Sequence, residues 1–158
     1  MKHVVGVADH KISQGPDDVI ITHALGSCLG ITAYDPASKV GGLFHVMLPN
    51  ASVNPEKAAA NPDMFVDSGL PKFFKELYSA GAQKPRLIVK VAGGAQIQDK
   101  KDFFAIGKRN YVTMRKLFWK NGIMIKGEDV GGNISRTMHL EIATGKVTIS
   151  TGGQEKEL

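Results

Sequence analysis

Val19-Ile20-Ile21-Thr22-His23-Ala24-Leu25-Gly26-Ser27-Cys28-Leu29-Gly30-Ile31-Thr32-Ala33-Tyr34 decides the fold. Its first four residues are all β-branched, and its last five run GITAY. Such residues favour strands. The small residues between them permit a sharp turn. The stretch therefore predicts a strand over 19–22, a glycine turn, and a strand over 30–34, closed by Asp35-Pro36. Outward from it, residues 2–8 (KHVVGVA) and 40–48 (VGGLFHVML) read as further strands. A turn cluster lies at 14–18 (QGPDD), and Pro49-Asn50 stops the last strand. The opening third is β-rich, with short connections.

The hydrophobic period then changes. Residues 50–63 (NASVNPEKAAANPD) are polar and predict a loop with at most one helical turn over 56–60. Leu70, Phe73, Phe74, Leu77 and Tyr78 follow helical spacing. They predict a helix that begins near 65–68 and ends at Ala80-Gly81. A strand over 86–91 (RLIVKV) leads into Ala92-Gly93-Gly94-Ala95, and 96–105 reads as a loop. A second helix is expected over 107–120, with Tyr111, Met114, Leu117 and Phe118 on one face. A strand over 123–126 and a turn at Gly131-Gly132-Asn133 follow. Met138, Leu140 and Ile142 alternate along 136–142, which pairs through Ala143-Thr144-Gly145 with 146–150 as a hairpin. The sum is one α+β domain over 1–151, with a frayed tail over 152–158.

Composition narrows the function. The net charge is +5, with 20 Lys+Arg against 15 Asp+Glu. The lysines are scattered, and no aromatic–arginine interleaving marks a nucleic-acid groove. The surplus reads first as a solvated surface, with an acidic macromolecular partner as the second reading. No apolar run approaches the roughly 20 residues of a membrane span, and the start lacks the apolar segment of a signal peptide. A cytoplasmic location is expected. A single cysteine makes neither an internal disulfide nor a thiolate zinc cage. No metal or cofactor is expected: VAGGA (91–95) lacks the third glycine of a dinucleotide fingerprint and the Gly-Lys-Ser/Thr of a P-loop. It reads as a tight strand exit, and DVGGN (129–133) as a turn.

The candidate chemistry centres on Cys28. A lone cysteine is more often a small buried hydrophobe than a nucleophile. Gly26 and Ser27 before it change the balance, because successive N–H groups beside a nucleophile form an oxyanion hole. A strand, not a helix, follows Cys28, so activation falls to a base rather than a helix N-terminus. His45 lies in the most apolar early run and His23 lies five residues before Cys28; the residues alone leave both open. His3 and His10 have no special context. His139 alternates with the apolar stripe and is expected to face solvent. Thr22, at a strand end, carries a hydroxyl suited to orienting an imidazole.

LGSCLG, FHVMLP, KVAGGA, IGKRN and EDVGGNISRTMHLEIATGKV occur in the order and spacing of the CheD family, which the chain resembles from VVGVAD to about residue 151. The resemblance implies a chemoreceptor glutamine deamidase with a Cys–His–Thr triad on Cys28, His45 and Thr22. Gly26 and Ser27 would support the oxyanion, and no cofactor would be used. It implies a layered β-sandwich of mixed sheets flanked by two main helices, similar to the deamidase domain of cytotoxic necrotising factor. It implies as partners the cytoplasmic methylation helices of chemoreceptors and a CheC-type phosphatase, with neither nucleic acid nor membrane insertion. Recruitment to membrane-bound receptor arrays and hydrolysis of glutamyl methyl esters also follow from it. An adaptor that regulates the phosphatase is the alternative; a small-molecule amidase and an inert buried thiol are the other readings. Two departures stand out: Phe65-Val66-Asp67 lacks the family's tyrosine, and Ile134-Ser135-Arg136 keeps one arginine where two are common.

Overall fold

The computed structural model describes residues 1–96 and 105–158. Among these residues, ten strands form two five-stranded sheets. The first sheet contains β1 (Lys2–Val5), β3 (Val19–Leu25), β8 (Arg136–Glu141), β9 (Val147–Thr151) and β10 (Gln154–Glu157), side by side in that order. The second runs β2 (Asp9–Ser13), β5 (Val40–Val46), β4 (Leu29–Asp35), β6 (Ile88–Gly93) and β7 (Ile125–Val130). Both sheets are mixed, since β1 runs parallel to β3 and β6 parallel to β7. Helices α1 (Pro55–Ala60), α2 (Val66–Ser79) and α3 (Ile106–Lys120) complete the fold. The expected α+β layered arrangement is what forms.

Two cores define the layers. Leu29, Ile31, Phe44, Val46, Val89 and Val91 of the second sheet bury against Leu70, Phe73, Phe74 and Leu77 of α2 and Met114 and Phe118 of α3. The opposite face presents Leu43 and Ala92 to Val5, Ile20, Met138, Leu140 and Ile149 of the first sheet. The second sheet is thus covered on both sides, and β4 and β5 are buried at every residue. Their near-continuous apolar runs follow from that.

Four expectations need correction. The strand over 2–8 stops at Val5; Ala8 turns the chain with φ 57, and β2 follows, unforeseen. The tail over 152–158 does not fray: Gln154–Glu157 pairs antiparallel with β9. The strand placed at 123–126 runs instead from Ile125 to Val130. The polar loop carries α1 and two short 3₁₀ turns, Ala51–Val53 and Pro62–Met64. Of the loop read over 96–105, residues 97–104 lie outside the described residues. The two main helices and the 136–150 hairpin lie within two residues of their expected bounds.

Polar side chains tie the layers at their margins. His10 joins β2 to α2, with Nδ1 2.5 Å from Asp63 Oδ2 and Nε2 paired with Glu76. Asp63, chiefly through its hydrogen bond, pushes the imidazole pKa up. This tie is present below the ordinary histidine range and is lost as pH rises through the folded value. Asp35, fully buried at the end of β4, accepts from the N–H groups of Ala37 and Gln83 at 2.9 Å each and from Arg86 Nη2 at 2.8 Å. The Arg86 guanidinium holds this carboxyl well below the usual carboxylate range. A depressed value stabilises the fold above the unfolded pKa and is lost as pH falls. Asp35→Ala is expected to cost about 3 kcal/mol and lower Tm by roughly 10 °C at pH 7, as thermal denaturation measures. The difference from the wild type should shrink as pH falls below about 4.

Candidate functional site

Thr22 lies on the inner face of β3, in line with Ile20, and is fully buried. Its hydroxyl donates to the Val5 carbonyl at 2.7 Å. The one hydroxyl proton is thereby committed. The 2.7 Å contact between Thr22 Oγ1 and His45 Nδ1 must then be an N–H of the imidazole donating to the hydroxyl oxygen. This sets the tautomer: Nδ1 carries the proton and Nε2 carries the lone pair. Nε2 is buried and has no hydrogen-bond partner among the described residues. Burial pushes the His45 pKa down to about 4. The site therefore holds a neutral imidazole with a free basic nitrogen.

His45 shares the inter-sheet face of β5 with Leu43. It is paired across the ladder with Gly30 of β4. Cys28 lies in the bend immediately before β4 and packs against the inter-sheet cluster on the side that His45 faces. The thiol packs against the inter-sheet cluster and is half-buried. Burial pushes its pKa up. Thr22 and His45 thus meet across the gap between the sheets, and Cys28 packs against the same inter-sheet cluster. His23 is exposed on β3, one residue from Thr22 and on the opposite face, away from the inter-sheet gap. His139 is half-buried on the outer face of the first sheet, less open than expected.

The loop before Cys28 starts from an irregularity. The β3–β8 register breaks between Thr22 and Leu25, and Ala24 takes φ 58. Such backbone strain concentrates at functional sites. Three consecutive loop carbonyls are then held: Gly26 O accepts from Ala95 N at 2.9 Å, Ser27 O from Asn110 Nδ2 at 3.0 Å, and Cys28 O from Gly94 N at 2.9 Å. Among the described residues, the Gly26 N–H donates to Ala24 O at 3.0 Å, the Cys28 N–H reaches only its own thiol, and the Ser27 N–H makes no hydrogen bond. Carbonyls held on one side with an N–H left free are the arrangement an oxyanion hole needs.

Four further residues support this loop, and none of them was assigned a role in the site from the sequence. Gly93 and Gly94 had been read as a strand exit. A Cβ on Gly93, whose φ is +102, would stand 2.2 Å from Cys28 O. The glycine pair is therefore the bed on which the loop rests. Asn110 sits four residues before Met114, on the core face of α3, and is fully buried. A buried amide in an otherwise apolar stripe was the available signal. Arg136, also buried, donates to Asp129 at 3.2 Å and reaches Gly93 O at 3.4 Å.

Other features lie apart. A pocket of about 320 Å³ opens between α2 and α3, on the face of the second sheet away from the triad. Asp9, His10 and Asp63 bring possible metal-ligand atoms within 4.8 Å of one another, but both imidazole nitrogens already face carboxylates. Among the described residues, no helix is long and apolar enough to cross a membrane. Gly93→Ala is expected to destabilise the protein by about 3 kcal/mol in urea titration, since both contact and φ oppose a side chain.

Residues 47–151 match the family model described as CheD chemotactic sensory transduction. The chain is 51% identical over 156 residues to a probable chemoreceptor glutamine deamidase CheD 1 of Syntrophus aciditrophicus, covering 98% of each chain. It is 46% identical to a probable chemoreceptor glutamine deamidase CheD of Solibacter usitatus, over 98% of this chain and 92% of that one. The counterpart from Pyrococcus abyssi is 43% identical, over 95% and 93%.

Proposed function

The chain belongs to the CheD family, and from that premise we propose that it hydrolyses glutamine side chains of chemoreceptors to glutamate, with Cys28 as nucleophile, His45 as base and Thr22 as orienter. The observation that carries this is the His45 ring: its tautomer fixed by Thr22, its Nε2 unpartnered, on the side of the inter-sheet cluster against which the only cysteine packs. The names of the relatives supply the substrate class.

The reaction begins from neutral partners, since burial raises the thiol pKa and lowers that of the imidazole. As Sγ attacks the amide carbon, its proton passes to Nε2. The carbonyl oxygen becomes an oxyanion facing the Ser27 and Cys28 N–H groups. The imidazolium returns the proton to the departing nitrogen, releasing ammonia and leaving a thioester. Water then attacks with Nε2 as base, the C–S bond breaks, and the thiol and a glutamate remain. A glutamyl methyl ester would follow the same path with methanol leaving. The surplus of lysines suits an acidic substrate protein and cytoplasmic work beside receptor arrays.

Incubation of a receptor cytoplasmic fragment is the test. The wild type should add about one dalton per modified glutamine by mass spectrometry, and Cys28→Ala should add none. Deamidation by Cys28→Ala would refute the cysteine mechanism. A wild type that leaves the receptor intact but stimulates a CheC-type phosphatase would replace this function with the adaptor role. Thr22→Val should lower kcat by about 10- to 100-fold with a smaller change in KM, because the Nδ1 proton loses its acceptor.

The pH dependence follows from the same geometry. His45 keeps its lone pair down to a pH of about 4, so the acid limb of kcat/KM should lie well below the ordinary histidine range. The ultraviolet band of a thiolate should be absent at pH 7, because the resting pair is neutral. A strong thiolate band at neutral pH would exclude that resting state.

A further inference from the structure

Asn110 has no place in the triad, yet it touches both sides of it. Its Nδ2 donates at 3.0 Å to Ser27 O, in the nucleophile loop, and at 3.0 Å to Met47 O, two residues beyond His45. Both amide protons are thus used, one on each segment. The residue is fully buried, and its Oδ1 has no partner among the described residues. A buried amide with one end unsatisfied is a poor device for stability alone. Its donors are also irreplaceable by backbone, because Ser27 O and Met47 O belong to segments that leave the sheet at this point.

We propose that Asn110 is a positioning residue: its amide group sets the loop that carries Cys28 against the strand that carries His45, and so couples thiol to imidazole. This deepens the cysteine-hydrolase function above and rests on it for its consequence in catalysis. Of the three donors that hold the loop carbonyls, only this one also grips the strand of the base. Gly94 N and Ala95 N fix the loop to β6 and its exit. Asn110 adds a side-chain link between the loop and the chain just beyond His45, next to the β4–β5 ladder that pairs Gly30 with His45.

The test is a double-mutant cycle read by alkylation of Cys28 with iodoacetamide, which needs no substrate. His45→Gln should slow alkylation in the wild-type background by about tenfold, and by less than about twofold in the Asn110→Leu background. A merely structural role would lower Tm and leave the effect of His45→Gln unchanged. Equal slowing in both backgrounds, or no effect of His45→Gln in either, overturns the proposal. On a receptor fragment, Asn110→Leu should lose about 100-fold in kcat with KM within about threefold, measured well below Tm. Asn110→Asp keeps the shape and one donor while its carboxyl is protonated. Its rate should therefore fall with rising pH over a range where the wild type does not. If the wild type fails to deamidate the receptor but the alkylation cycle shows the coupling, the substrate assignment fails and the positioning role stands. If deamidation requires Cys28 while Asn110→Leu retains the wild-type kcat, the positioning role fails and the substrate assignment stands.

Discussion

The hydrogen bond from His45 Nδ1 to Thr22 Oγ1 crosses from one sheet to the other. At 2.7 Å it tolerates little change in sheet spacing. The rest of the sandwich is built to hold that spacing. Gly30, opposite His45 in the ladder, has no side chain; a Cβ there would stand 2.8 Å from Leu25 and from Met138 of the first sheet. The second sheet is in turn pressed from behind by α2 and α3, whose Phe73, Leu77 and Met114 are fully buried. Packing on one face of β5 thus fixes the chemistry on the other. The alternation of a strand makes this possible: Phe44 and Val46 anchor to the helices while Leu43 and His45 look into the gap.

The elements legible in the sequence are those with a strong one-sided burial pattern. Met138 and Leu140 alternate with half-buried residues along β8, and Leu70, Phe73, Phe74 and Leu77 make one helical face. The two strands that were missed, DHKIS and QEKE, both lie at sheet edges. An edge strand is held by backbone hydrogen bonds on one side and buries little, so its side chains carry little hydrophobic period. Polar residues there also guard against unwanted pairing. β7, the far edge of the second sheet, was misplaced for the same reason: IKGEDV is nowhere fully buried.

The site divides along a similar line. Cys28, His45 and Thr22 can be picked out as the proposed triad because each stands in a distinctive local context. The choice between His45 and His23 needed only the face of a strand, which register supplies and composition does not. The supports were not legible. Gly93 matters because Cys28 O lies where its side chain would be, and Asn110 because Ser27 and Met47 come within reach of one amide. Those contacts join positions 65 and more residues apart, or 63 in the case of Met47. No local period encodes them.

A hydroxyl in the orienting position has a consequence that a carboxylate would not share. A carboxylate between two sheets would be a charge in an apolar gap, costly to bury unless the imidazole carried the matching proton. It would draw the pair toward imidazolium and, with a thiol nearby, toward a resting thiolate. Thr22 is neutral, and its proton is directed at the Val5 carbonyl. It can fix the direction of the ring without stabilising a charge on it. Burial then dominates, lowering the base and, against the smaller pull of the Cys28 N–H, raising the thiol. On the proposed mechanism, charge appears in the gap only when Sγ attacks a carbonyl carbon and an oxyanion forms beside the loop N–H groups. A thiol held in that way is quiet toward solvent oxidants, which attack the thiolate.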